Sequence, residues 1–125
     1  MHRILVREVV VDAPSATFAA TRDFWAAALL SEAQEVEAFP EFTALPDAAS
    51  MSWVGLQDIG PGPARFHLDI ETDDVAAEVA RLAGLGAVKV ADGRTWVVMR
   101  DPSGLLFDVV PHESTWFAEH SREVG

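Results

Sequence analysis

The sequence predicts an α+β fold in which two βαβββ modules curve around a common cleft. Three observations predict it. The order strand, helix, three strands can be read twice along the chain, on either side of the Pro/Gly-rich stretch DIGPGPA at 58–64. Each helical stretch follows a strand-like run, so each half has a helix-covered sheet with one face still to be covered. Half of the 125 residues are hydrophobic, which is enough for one domain with a core of its own.

The first strand is RILVREVVVDA at 3–13, with Val9 and Val11 on one face and Glu8, Val10 and Asp12 on the other. Pro14 and Ser15 break it. ATFAATRDFWAAALL at 16–30 reads as a helix, because alanine favours helix and Phe18, Trp25 and Leu29 recur at helical spacing. Three short strands follow within 33–57, around EAQEVEA, FTALP and MSWVGLQ, punctuated by Pro40 and by Pro46-Asp47. Module one is therefore about 3–57 and the linker 58–64.

Module two, about 65–112, opens on the strand RFHLDIE. Alternation puts Leu68 and Ile70 on one face and His67, Asp69 and Glu71 on the other, so one face asks for a core and the other carries a row of ionisable groups. That row is either solvated surface or the wall of a site. Asp73 or Asp74 can cap the next helix, whose apolar stripe is Val75, Val79 and Leu82 and which Gly86 can stop in a left-handed conformation. Strands near VKV (88–90), TWVVMR (95–100) and LLFDVVP (105–111) complete the module, and the DPSG turn at 101–104 joins the last two. The tail 113–125 reads as a short terminal helix docking Trp116 and Phe117. The whole chain, 1–125, is one domain.

Composition excludes several classes. There is no cysteine, hence no disulfide, thiolate nucleophile or Cys-ligated metal, and a reducing cytoplasm fits. The charge of −11, from 20 acidic and 9 basic residues, disfavours nucleic acid and slightly favours a cationic small molecule. No apolar run is long enough to span a membrane, and MHRILVREVV lacks the apolar stretch of a signal peptide, so a cytoplasmic location is expected. Phosphate loops, nucleophile elbows and helical HExxH are absent.

FHLDIETDDVAAEVARLAGLGA followed by WVVMRDPSGLLFDVVP, with weaker support from EVVVDAPSATFAATRDFWAAALL, resembles the glyoxalase / bleomycin-resistance / extradiol-dioxygenase group, the vicinal oxygen chelate superfamily. Within it the chain is most similar to short glyoxalase-like proteins, over about residues 3–112. Leu30 stands where the family usually has glycine, and Glu8 where it usually has the opening histidine. The resemblance implies a site drawn from first and last strands: Glu8, Gln57, His67 and Asp108 as metal ligands, where metal-dependent members use His, Gln and Glu. It implies a homodimer by analogy.

One imidazole, two carboxylates and an amide oxygen can hold one divalent ion such as Mn, Fe, Ni or Zn, with positions left for a bidentate substrate. The catalytic candidates are His67, as ligand or base, with Glu8 and Asp108 as ligands or acid and base. The ligand-binding candidates are Trp53, Gln57 and Asp69. Each has a plainer reading. His67 can be a hydrogen-bonded residue at a sheet edge, Glu8 surface charge, and Gln57 a strand-end hydrogen bonder. Trp53 can belong to the core, and Asp108 can lie on an exposed sheet face. Trp25 reads as core, and His2, His112 and His120 as surface. With one histidine in the set, two functions stay open. One is metal-assisted lyase, isomerase or dioxygenase chemistry on a small molecule. The other is metal-free binding and sequestration of a drug or metabolite.

Overall fold

The computed structural model describes residues 1–48 and 51–125. The fold is α+β, with nine strands and two helices of ten or more residues among the described residues. The chain divides into two compact units, Glu8–His67 and Met1–Arg7 with Leu68–Gly125. The first strand, β1 (His2–Ala13), contributes to both.

In the unit Glu8–His67, β1 runs parallel to β4 (Met51–Asp58), and β4 pairs antiparallel with β3 (Phe42–Ala48). The two-residue β2 (Gln34–Glu35) lies on the outer side of β3. Helix α1 (Phe18–Ala28) follows a single 3-10 turn. Its Phe18, Trp25 and Ala26, with Leu29 just beyond, pack on Val11, Leu45, Ala48, Val54 and Leu56. This is the stripe the sequence predicts, and burying it against the strands supplies this unit's main hydrophobic stabilisation. β3 runs through Pro46 and Asp47, where the sequence predicts a break. β2 reaches only Ala44 and Thr43, so no ladder bond is needed on that side of Pro46. The linker is tied down: Ser15 donates to Asp58, as does the Gly60 amide, and the Ile59 amide donates to the Ala13 carbonyl.

In the other unit, β5 (Arg65–Thr72) runs parallel to β8 (Leu106–Pro111), followed outward by β7 (Val97–Arg100) and β6 (Val88–Asp92). Met99 and Val109 are its fully buried apolar residues, and α2 (Val75–Gly84) packs on β8 and β6. Asp74, not Asp73, caps α2, its carboxylate accepting from the Ala77 amide at 2.9 Å. Gly86 ends the helix at φ 111°. In the DPSG turn, Asp101 accepts from the Ser103 amide and hydroxyl and from the Leu105 amide, and these bonds, the Ser103 hydroxyl first, lower its pKa. At the β6–β7 hairpin the Trp96 indole lies on Gly93, where a Cβ would collide with it.

The tail departs from expectation. After α3 (Phe117–His120) it adds a strand, β9 (Arg122–Val124), antiparallel to His2–Ile4 of β1. Arg3 secures this end by donating to the Ser121 hydroxyl and carbonyl. Phe117 is buried, whereas Trp116 is exposed and stacks obliquely on His120. His112 and His120 are at the surface as predicted. His2 is not: it is buried, with its Nε2 2.7 Å from Glu78 Oε2.

Candidate functional site

The strand β5 decides where the chemistry lies. Its alternation holds as predicted, but the burial is the reverse of what hydrophobicity suggests. Phe66 and Leu68 are 55% and 43% exposed, while His67, Asp69 and Glu71 are all buried. A row of buried ionisable groups needs partners.

Glu71, fully buried, accepts from the Ser114 hydroxyl at 2.7 Å and from its amide, and Arg7 lies 3.5 Å away. His67 pairs through Nδ1 with Asp12 Oδ2 at 2.8 Å, and the same oxygen accepts from Arg65 Nε at 3.1 Å. Asp69 stands directly opposite Asp108 in the parallel β5–β8 register. With His67 one pleat earlier on the same face of β5, the three residues offer ligand atoms that all lie within 4.8 Å of one another. One imidazole and two carboxylates at that spacing match the donor preferences of a hard or borderline divalent ion. Three such donors would leave coordination positions open on a divalent ion.

The structure thus gathers His67, Asp69 and Asp108, with Asp69 joining the ligand set from its expected place as a ligand-binding residue. Glu8 is half-buried on β1, and a Cβ placed at Gly55 of β4 would touch its carboxylate at 3.4 Å, so glycine leaves that carboxylate room over β4. Gln57 is half-buried at the end of β4, opposite Asp12 in the parallel register. Trp53 is half-buried on the same face of β4 as Gly55 and Gln57, with its indole N–H enclosed and without a hydrogen-bond partner. Asp12 and Glu71 were absent from the candidates. Asp12 sits in VVVDA, and a carboxylate at the end of an apolar strand was the signal available for it.

A second buried ionic group lies on α2. Glu78 is bound bidentately by Arg81 at 2.7 Å and contacted by His2. Burial pushes the Glu78 carboxyl up, but the hydrogen bonds and charges of Arg81 and His2 together outweigh it and hold the pKa below 4.5.

No helix among the described residues is long and apolar enough to cross a membrane. Among curated protein sequences none matches this chain significantly. Among solved structures, it is similar to the Mn(II)-bound glyoxalase from Novosphingobium aromaticivorans, at 18% identity and a TM-score of 0.60. That match covers 93% of this chain but only 44% of the other. Methylmalonyl-CoA epimerase from Mycobacterium tuberculosis matches at 16% identity and a TM-score of 0.56, over 90% of this chain and 91% of that one. A glyoxalase/bleomycin resistance protein/dioxygenase superfamily member from Vibrio splendidus 12B01 matches at 16% and 0.55, over 86% and 98%. At such identities these likenesses speak for the fold alone. The family model for the glyoxalase-like domain matches residues 8–110, so the strand order, the turn chemistry and the sequence agree, and the chain belongs to the glyoxalase-like domain family.

Proposed function

We propose that this chain is a metal-assisted enzyme acting on a small molecule with vicinal oxygens, with a divalent ion held by His67, Asp69 and Asp108. The observation that carries the reading is the convergence of those three donors within 4.8 Å. When bound, such an ion supplies Lewis-acid polarisation of a substrate oxygen. The chain's own residues supply the rest. His67 and the two aspartates fix where the substrate's oxygens sit. The family resemblance assigns Glu8 to acid–base work and Gln57 to orienting the ligand, with Trp53 as a further ligand-binding candidate. Lyase, isomerase and dioxygenase chemistry all begin from that arrangement. The oxygen-rich donor set favours Mn over softer metals, with Fe, Ni and Zn as alternatives. The partners this reading takes are the small molecule and a second copy of the chain.

Metal analysis of the purified protein tests it. The expected result is close to one divalent ion per chain after incubation with Mn2+ and desalting, lost in His67→Ala and in Asp108→Asn. Wild-type protein that retains no Mn, Fe, Ni or Zn would remove the enzyme reading. The sequestration reading is favoured by the enclosed Trp53 N–H, which a bound ligand can accept from. It predicts that metal-free protein still binds a cationic aromatic compound and quenches Trp53 fluorescence.

A further inference from the structure

Asp12 is 1% exposed, and its Oδ2 is 2.8 Å from His67 Nδ1. A carboxylate only accepts hydrogen bonds, so Nδ1 carries a proton toward Asp12, and Nε2 is the nitrogen not engaged by that carboxylate. Arg65 donates to the same oxygen at 3.1 Å and fixes the carboxylate from the other side. A structural hydrogen bond to Nδ1 needs no charge, since an amide or carbonyl oxygen would serve. Here a charge is buried, and the second oxygen, Oδ1, has no hydrogen-bond partner. Such burial costs stability. An arrangement retained at that cost points to a role beyond folding.

We propose that Asp12 is the positioning residue of His67. It holds the imidazole in the Nδ1–H tautomer and fixes the ring plane, so that Nε2 is the nitrogen offered to a divalent ion, with Arg65 steadying Asp12. The inference rests on the metal reading of the His67–Asp69–Asp108 group, and it extends that group by a residue on a different strand. A carboxylate behind a metal-binding histidine raises the basicity of the ring, and its loss weakens metal affinity about 10–100-fold.

The test has two arms. Long-range 1H–15N correlation spectra of 15N-histidine-labelled protein, with His67 assigned by its disappearance in His67→Ala, report the tautomer without any metal. Mn2+ titration followed by EPR reports affinity. Wild-type protein should show His67 solely as the Nδ1–H tautomer. Asp12→Ala should give a mixture of tautomers and a roughly 10–100-fold higher Kd for Mn2+. Asp12→Asn keeps the shape and offers both donor and acceptor, so it should also lose the single tautomer, and it serves if the alanine variant does not fold. Arg65→Met should fall between wild type and Asp12→Asn. A wild-type His67 in the Nε2–H form overturns the proposal. So does an unchanged tautomer with wild-type Kd in the Asp12 variants. If instead His67→Ala binds Mn2+ as well as wild type, the metal reading fails, and the tautomer arm still decides whether Asp12 positions the ring.

Discussion

Leu30 takes a left-handed backbone at φ 58°, just past the end of α1, and is 85% exposed. A side chain in that region pays about 1 kcal/mol or more in steric strain. Glycine, which the family usually has there, avoids it. Leu30 gives up little burial in exchange, because its side chain is largely in water. Leu30→Gly should therefore stabilise the fold by up to about 1 kcal/mol, after the extra unfolded-state freedom of glycine is subtracted. Urea unfolding would show it as a higher midpoint at unchanged slope. Unchanged or lower stability would mean that the leucine makes a compensating contact. The departure from the family was legible in the sequence, but its consequence was not, because the periodicity carries the helix through 30 whereas α1 ends at Ala28 and leaves Leu30 in the turn beyond it. The roles of Asp12 and Glu71 were not legible either. Their partners lie 55 and 43 residues away, so VVVDA and DIETD show carboxylates among apolar residues but not what pairs with them.

At the scale of elements, periodicity predicted which residues share a face, and turn residues predicted where most elements stop, although β3 runs on through Pro46 and Asp47. Periodicity could not say which face is buried. In β5 the apolar Phe66 and Leu68 are substantially exposed, and the ionisable row is inside, compensated by groups from other strands and loops. The short β9 was missed because SREVG has no apolar alternation, and its pairing depends on β1 being adjacent. The tie between α2 and β1 was missed for the same reason, since His2 and Glu78 are 76 residues apart. That tie has a pH signature. The folded pKa of Glu78 lies below its ordinary 4.5, so its contribution is fully present above that value and is lost as pH falls through the folded pKa. Glu78→Gln should cost about 2 kcal/mol at pH 7, because it replaces charge-assisted bonds from Arg81 and His2 with neutral ones. The gap between variant and wild type should narrow on acidification below pH 4.5, as urea unfolding at pH 7 and pH 3.5 would measure. A gap that stays constant would place the cost in packing instead of charge.

At the scale of the whole molecule, the charge of −11 draws any divalent cation to the surface, so metal uptake alone does not identify a site. Stability separates the two cases. An ion bound by His67, Asp69 and Asp108 in the folded state, and not in the unfolded chain, stabilises folding by RT ln(1 + [L]/Kd), about 2.7 kcal/mol at a hundred times Kd. For a chain of 125 residues that raises Tm by roughly 10 °C. Diffuse binding to an acidic surface is screened by salt, whereas a three-donor site is screened much less. Mn2+ should therefore raise Tm in 0.5 M NaCl nearly as much as in dilute buffer, Mg2+ should raise it less because the imidazole donor suits Mn2+ better, and His67→Ala should abolish the shift. A Tm rise that is equal for both ions, disappears in salt and survives His67→Ala would mean that the cations act on net charge, and the three donors would then be a structural cluster.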